Sequence, residues 1–129
     1  MVIPESHADL LESTALAHVA TIGPDGGPQS NPVWFGWDGE RLMFSQFKGR
    51  QKLRNLQARP QIAVSIVDPA DPYRYLELRG VVDEVIDDQD NVFINAMAQK
   101  YLNEPTNPWE QPGQHRVIVK MRPESTTSM

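Results

Sequence analysis

The chain of 129 residues contains no cysteine. Disulfides, cysteine-ligated zinc, iron–sulfur clusters and thiol nucleophiles are therefore excluded. No apolar run reaches the ~18 residues that a membrane span needs, and the opening stretch 1–7 lacks the basic and apolar parts of a signal peptide. The sequence predicts one cytoplasmic domain over residues 1–129, without a membrane partner, whose 40% hydrophobic content supplies a single core.

Motifs for hydrolysis and nucleotide binding are also missing. The chain has no G-x-S-x-G, no Walker loop and no G-x-G-x-x-G. His7, His18 and His115 stand alone, without the spacing of metal ligands, so no metal site is expected. No side chain can be named as catalytic from these patterns.

Acidic residues are absent between Glu40 and Asp68, and this window holds half of the basic residues: Arg41, Lys48, Arg50, Lys52, Arg54 and Arg59. The window therefore carries +6, whereas the whole chain carries −5 and the remainder −11. Such segregation in an acidic protein indicates a local anion site. The alternative interpretation is a solvated basic helix face.

Hydrophobic periodicity predicts a mainly β fold, a small six-stranded barrel with helical decoration. The strands are expected at 17–22, 29–37, 41–47, 61–67, 73–86 and 115–122, and the helices at 4–14, from Arg50 to Pro60, and after Asp87-Asp88. Pro32 requires its strand to lie at a sheet edge or a bulge, and Gly80 indicates a bulge. The polar tail 124–129 is expected to be loose.

The basic residues Lys48, Arg50 and Lys52 fall at the junction between a strand and a helix. Free backbone N–H groups and the helix dipole favour a phosphate at such a junction. With about 100° per residue, Arg50 and Lys52 flank the apolar stripe of this helix and face a ligand, whereas Arg54 points to water.

A second informative stretch is Q-S-N-P-V-W-F-G-W at 29–37. Pro32 leaves backbone groups near Asn31 free to bind a flat polar ring, and Trp34 and Phe35 offer an apolar wall. For Phe35 and Trp37 a role in the core is the preferred interpretation. The loop 103–114 is expected to fold over something through Trp109.

Three runs carry a resemblance to a known family: A-T-I-G-P-D-G-G-P-Q-S-N-P-V-W-F at 20–35, F-S-Q-F-K-G-R-Q-K-L-R-N-L at 44–56 and Y-L-E-L-R-G at 75–80. The chain resembles the flavin/deazaflavin oxidoreductase superfamily, which has the split β-barrel of pyridoxamine 5′-phosphate oxidases. The closest likeness is to the small actinobacterial type that binds coenzyme F420. The resemblance covers almost the whole chain.

The resemblance implies a homodimer with a cofactor site at the subunit interface and a small-molecule substrate. Ser45 and Gln46 would contact the cofactor, and Arg50, Gln51 and Lys52 would hold its phosphate. Lys48, with Arg54 as the other candidate, would attract the oligoglutamate tail of F420. The ring would be lined by Gln29, Ser30, Asn31, Pro32, Val33 and Trp34, and the partner subunit would supply Pro72, Tyr73, Arg74 and Tyr75.

The implied activity is hydride transfer from reduced F420 to an electron-poor double bond or conjugated ring. Three alternatives stay open: an FMN-binding oxidoreductase of the same fold, a carrier that binds F420 without turnover, and a nucleic-acid-binding barrel. The net charge of −5 and the confinement of positive charge to one window argue against nucleic acid.

Overall fold

The computed structural model describes residues 2–129. Within that range seven strands form one antiparallel sheet: β1 (Ala17–Ile22), β2 (Pro28–Val33), β3 (Gly36–Trp37), β4 (Leu42–Phe47), β5 (Gln61–Asp68), β6 (Asp71–Asp87) and β7 (Arg116–Ser128). The α-helices are α1 (Gln51–Ala58) and α2 (Val92–Leu102), and 3-10 helices span Glu5–Glu12 and Gln89–Asn91. The predicted mainly β fold with helical decoration is confirmed.

The sheet curls because its two edge strands follow one another directly in the chain. The strand order is β2-β1-β5-β6-β7-β4-β3, so β2 and β3 lie at opposite edges, yet only Trp34 and Phe35 connect them. Three residue steps span at most about 10 Å. The edges must therefore approach each other, and the sheet becomes a barrel that is split at this connection.

The predicted single strand over 29–37 is wrong, because the chain leaves one edge and joins the other at Trp34. The count is therefore seven strands in residues 2–129 and not six. Pro32 lies in β2, whose one neighbour is β1, so its missing N–H interrupts no pairing on the outer side. The prediction of an edge position for Pro32 is confirmed.

The interior of the barrel is filled by alternate residues of the strands. Ala17 and Val19 of β1 and Leu42 and Phe44 of β4 are fully buried, while their neighbours in sequence are more exposed. Phe35 is also fully buried and Trp37 packs against the core, as predicted. Leu10 and Leu11 of the first 3-10 helix cover one end of this core.

The tail is not loose, which corrects the prediction for 124–129. Strand β7 continues to Ser128, and its second half pairs with the first half of β6, with Leu78 opposite Thr126 and Leu76 opposite Ser128. The tail sequence is polar because this end of the ladder is exposed on one face. Pairing with β6, and not the composition of the tail, therefore orders residues 124–128.

Helix α2 begins at Val92 and not at the predicted cap and first turn at Asp87 and Asp88, because β6 continues to Asp87 and a 3-10 turn precedes the helix. The buried carboxylate of Asp88 still accepts hydrogen bonds from the backbone N–H groups of Phe93 (2.8 Å) and Ile94 (3.0 Å) in the first turn of α2. In residues 2–129 none of the helices has the length and hydropathy to cross a bilayer.

A substitution at Gly80 tests the close approach between β6 and β7. The register between β6 and β7 shifts next to Gly80, as predicted, and a Cβ at this position would lie 2.0 Å from the carbonyl oxygen of Arg122. We expect Gly80→Ala to lower the free energy of unfolding by at least about 2 kcal/mol, because backbone must move. In Gly27→Ala, the matched control, the new Cβ meets the end of the Asp25 side chain. Urea denaturation showing equal losses in both variants would contradict the close approach.

Candidate functional site

The junction between β4 and α1 leaves backbone donors open. Gly49 turns the chain with a φ of 85°, and α1 begins at Gln51. Among residues 2–129 no side chain caps this N-terminus, and the first turn contains no acidic residue. The N–H groups of the first turn have no acceptor within the helix, so the junction is suited to an anion.

Lys52 lies in this first turn and is buried, with 4% of its surface exposed. Its Nζ lies 5.5 Å from the ring centroid of Phe44, and within residues 2–129 it has neither a hydrogen bond nor an ion pair. Burial lowers the pKa of Lys52 to about 8. A buried ammonium without a counter-ion is costly, which indicates that an anion completes this position.

Lys48, Arg50 and Arg54 are exposed and have partners of their own, whereas Arg41 and Arg59 are half-buried away from this junction and bind Asp83 and the carbonyl oxygen of Ile22. Arg50 lies over the ring of Phe47, with 5.3 Å from its guanidinium carbon to the ring centroid. Lys48 forms an exposed ion pair with Asp87 at 3.0 Å. Arg54 is exposed, as predicted, and donates to the carbonyl oxygen of Gly49 and to Gln51. Arg54 therefore stabilises the junction and does not take part in the anion position.

A buried amide holds α1 against the sheet. Asn55 donates from Nδ2 to Thr21 (3.0 Å) and to the side-chain oxygen of Gln29 (3.3 Å), and accepts at Oδ1 from Gln51 (2.7 Å). Asn55 is fully buried. This network brings together Gln29 and Gln51, which the sequence places in separate parts of the predicted site.

A cavity of about 410 Å³ lies between the sheet, α2 and the loop 103–114. Its volume is within the usual range for small-molecule sites. The cavity includes three predicted site residues, Val33, Trp34 and Ser45, and its walls are mainly aromatic and aliphatic. The lining residues are Val33, Trp34, Ser45, Phe47, Ile94, Met97, Asn107, Trp109, Gln114 and Arg116.

The aromatic wall of the cavity is supported by α2. Trp34 stacks on Tyr101, with ring centroids 5.4 Å apart and an interplanar angle of 8°. Trp109 approaches Trp34 at 6.1 Å, which agrees with the expectation that its loop folds over a site. The ring of Trp34 therefore packs against two aromatic neighbours, one on α2 and one on the loop 103–114.

Backbone groups at the split are satisfied by the last turn of α2. Tyr101 Oη accepts the N–H of Phe35 (3.1 Å) and donates to the carbonyl oxygen of Ala15 (2.7 Å), and Lys100 Nζ donates to the carbonyl oxygen of Phe35 (2.7 Å). Burial raises the pKa of Tyr101 to about 12, so its hydroxyl stays protonated. Burial also lowers the pKa of Lys100.

Arg116 is a cavity residue that the sequence prediction missed. Its Nη1 donates to Ser45 Oγ (3.0 Å), its Nε donates to Glu110 (2.8 Å), and its guanidinium lies 4.1 Å from the ring centroid of Phe47. The side chain is 11% exposed. The sequence around Arg116 does not indicate that its side chain faces a cavity. That position follows only from the pairing of β7 with β4.

The loop 103–114 is held over the cavity by amide and carboxylate groups. The N–H of Asn107 donates to Asn95 of α2 (2.9 Å), and Asn107 Nδ2 donates to Glu110 Oε1 (3.0 Å). The same Oε1 receives Arg116. Glu110 therefore connects the loop to the floor of the cavity.

The remaining predicted residues of the ring site follow β2 and β4. Ser30 and Pro32 are exposed on β2, and Gln46 is half-buried on β4 opposite Val117. Asn31 carries a buried Oδ1 that has no hydrogen-bond partner within residues 2–129. That atom is an acceptor available beside the split.

The predicted partner segment 72–75 lies at the start of β6, and none of its residues lines the cavity. Tyr73 is 80% exposed. Arg74 forms ion pairs with Asp9 (2.6 Å) and Asp68 (2.9 Å), which lower the pKa of Asp9 and contribute, after the hydrogen bond from the Ala70 N–H, to lowering that of Asp68. The charge of Arg74 is thus already engaged within its own chain.

Comparisons with known proteins agree with this geometry. The pyridoxamine 5′-phosphate oxidase family profile matches residues 3–129. A solved structure named F420 reductase is 42% identical, with a TM-score of 0.88 over 97% of this chain and 98% of that chain. No curated protein matches.

Two more distant solved structures share the fold. One is a conserved hypothetical protein from Mycobacterium tuberculosis, 24% identical with a TM-score of 0.75 over 99% of this chain and 85% of that chain. The other is General Stress Protein 26 from Bacillus anthracis str. Sterne, 19% identical with a TM-score of 0.71 over 97% and 92%.

The burial of Lys52 predicts a pH-dependent cost in the ligand-free protein. The unfolded lysine titrates at about 10.4, so between pH 8 and that value the unfolded state binds more protons and stability rises with pH. We expect Lys52→Met to be more stable at pH 7 by up to about 3 kcal/mol, with a smaller difference at pH 10. Urea denaturation at both pH values tests this, with Lys48→Met as the exposed control. A Lys52→Met variant less stable than the parent at pH 7 would show that Lys52 is paired.

Proposed function

Since the chain belongs to the pyridoxamine 5′-phosphate oxidase family, we propose that it is an oxidoreductase that uses coenzyme F420 to reduce an electron-poor double bond or conjugated ring. The observation that carries the proposal is the buried Lys52 at the open N-terminus of α1, for which residues 2–129 provide no counter-ion. The 42% identity to a protein named F420 reductase supports the same cofactor.

The described residues fit a flat ring attached to a phosphate. Lys52 and the first-turn N–H groups of α1 supply the phosphate position. Phe47 lines the aromatic cavity and also lies under Arg50, so the first turn of α1 and the cavity are neighbours. Asn31 Oδ1 offers an acceptor near the ring position.

When bound, reduced F420 would supply a hydride, and the side chains of the site would need only to bind the reactants, orient them and exclude water. Trp34 and Trp109 would form an aromatic wall of the cavity against which a planar molecule can pack. The network of Asn55 would keep α1 at a constant distance from β2. No residue of the chain is assigned as an acid or a base.

FMN is the second candidate cofactor, because it also combines a flat ring with a phosphate. The surplus of positive charge in the window 41–67 favours F420, whose oligoglutamate tail is anionic. The exposed ion pair between Lys48 and Asp87 is no obstacle, since such pairs contribute at most about 1 kcal/mol. Lys48 is therefore available to an anionic tail.

Titration with oxidised F420 and, separately, with FMN tests the cofactor. We expect F420 to bind more tightly, to quench the fluorescence of Trp34 and Trp109, and to bind less tightly as salt is added. Lys52→Ala should weaken binding by about 1.5–3 kcal/mol, the contribution of a charge-assisted hydrogen bond. Arg122→Ala, whose ion pair with Asp83 lies outside the cavity, is the control.

Tighter binding of FMN would assign the protein to the flavin-dependent members. Unchanged F420 affinity in Lys52→Ala would remove the phosphate position from α1. Absence of binding by both cofactors would contradict the proposed function itself.

We also propose that the site is completed by a second copy of the chain. Leu16, Val67 and Tyr73 are exposed apolar or aromatic residues on or beside β1, β5 and β6, which are neighbours in the sheet. Exposed apolar patches mark interaction surfaces. The segment 72–75 contributes Tyr73 to this patch, as expected for residues that reach a partner's site.

A charge within the patch should separate the copies. We expect light scattering to give twice the chain mass for the parent and for the control Val92→Glu, whose exposed side chain lies on α2. Val67→Glu should give the mass of one chain and weaker F420 binding, because a buried charge in the interface has no partner. A monomeric parent protein would contradict the dimer.

A further inference from the structure

Arg116 is the charged group among the residues that line the aromatic cavity. Two of its nitrogens are engaged, Nε by Glu110 at 2.8 Å and Nη1 by Ser45 at 3.0 Å. Its Nη2 has no hydrogen bond within residues 2–129. The guanidinium is rigidly held and can still donate two N–H bonds to a molecule in the cavity.

Glu110 cancels the charge of this donor. Its Oε1 accepts from both Arg116 and Asn107, and the pair is largely buried, with side-chain exposures of 11% and 19%. Its Oε2 is buried and has no hydrogen-bond partner within residues 2–129. The cavity therefore offers a directional donor without net positive charge, beside a carboxylate.

Such a site distinguishes a neutral carbonyl from a carboxylate. A neutral carbonyl oxygen gains the hydrogen bond from Arg116 at small desolvation cost. A carboxylate must lose its hydration and lie near Glu110, whose charge repels it. The aromatic walls formed by Trp34, Phe47 and Trp109 favour a planar, conjugated molecule.

We propose that Arg116 and Glu110 determine which acceptor the protein takes: a planar, neutral, conjugated carbonyl compound whose oxygen binds Arg116 Nη2. Glu110 excludes the corresponding acids. The inference rests on the proposed function, because it names the acceptor class for that reaction. Arg116 acts on the acceptor and lies apart from the phosphate position at Lys52.

The first experiment compares two planar probes of similar size, benzylideneacetone, a neutral enone, and cinnamate, an anionic acid. Binding to the cofactor-free protein is followed by quenching of tryptophan fluorescence. We expect the ketone to bind more tightly, and Arg116→Met to weaken the ketone by about tenfold, the loss of one hydrogen bond to a charged donor. Arg122→Met, on the same strand and outside the cavity, is the control and should bind like the parent.

The second experiment removes only the negative charge. In Glu110→Gln the amide oxygen can keep the bonds to Arg116 and Asn107, and the amide nitrogen replaces the unpartnered Oε2. We expect cinnamate to bind at least about threefold more tightly, with little change for the ketone, because Arg116 is no longer neutralised. Asp83→Asn removes a carboxylate that pairs with arginines elsewhere and is the control.

Unchanged ketone binding in a folded Arg116→Met variant, or an unchanged preference in Glu110→Gln, would overturn the inference. Thermal unfolding verifies each variant, and the Glu110→Gln result is decisive even where Arg116→Met does not fold. F420 titration of the same variants separates the two hypotheses. If the parent binds F420 but the two probes do not behave as expected, only the acceptor assignment is overturned. If the parent does not bind F420, the proposed function itself is overturned.

Discussion

The two-residue connection between β2 and β3 is the constraint on which the rest of the structure depends. Trp34 and Phe35 join opposite edges of the sheet, so the sheet must curl until the edges are neighbours. The backbone of Phe35 then has no strand partner, and unsatisfied buried backbone groups are costly. Tyr101 and Lys100 satisfy them, which places α2 over the split and Trp34 against the cavity.

Strand β4 separates the two halves of the candidate site by its alternation. Phe44 points to the core, where it contacts Lys52, while Ser45 and Phe47 line the cavity. Because the first half of β7 pairs with the whole of β4, Arg116 lies beside Ser45 and Phe47. The anion position and the aromatic cavity therefore use opposite faces of β4, and the single run 44–56 contributes residues to both.

The parts of the fold that follow local rules were predictable from the sequence. The alternation of apolar and polar residues predicted most of the strands, and Pro32 predicted an edge strand. The segregation of basic residues indicated the junction where Lys52 is buried. The break at Trp34 and the ordered tail were not, because both depend on which strand lies alongside. Arg116 was missed for the same reason: its partners Ser45 and Glu110 meet it only through tertiary pairing.

The burial of Lys52 lowers the stability of the ligand-free protein but favours the binding of an anion. An apolar side chain at this position would pack against Phe44 without a desolvation cost. A lysine there is unfavourable in the ligand-free chain and favourable once a phosphate supplies the missing charge. Binding free energy therefore includes the relief of a cost that folding has already incurred. The same reasoning does not apply to Arg116, whose charge is compensated by Glu110 within the chain. One cation thus requires an anionic ligand, and the other is prepared for a neutral one.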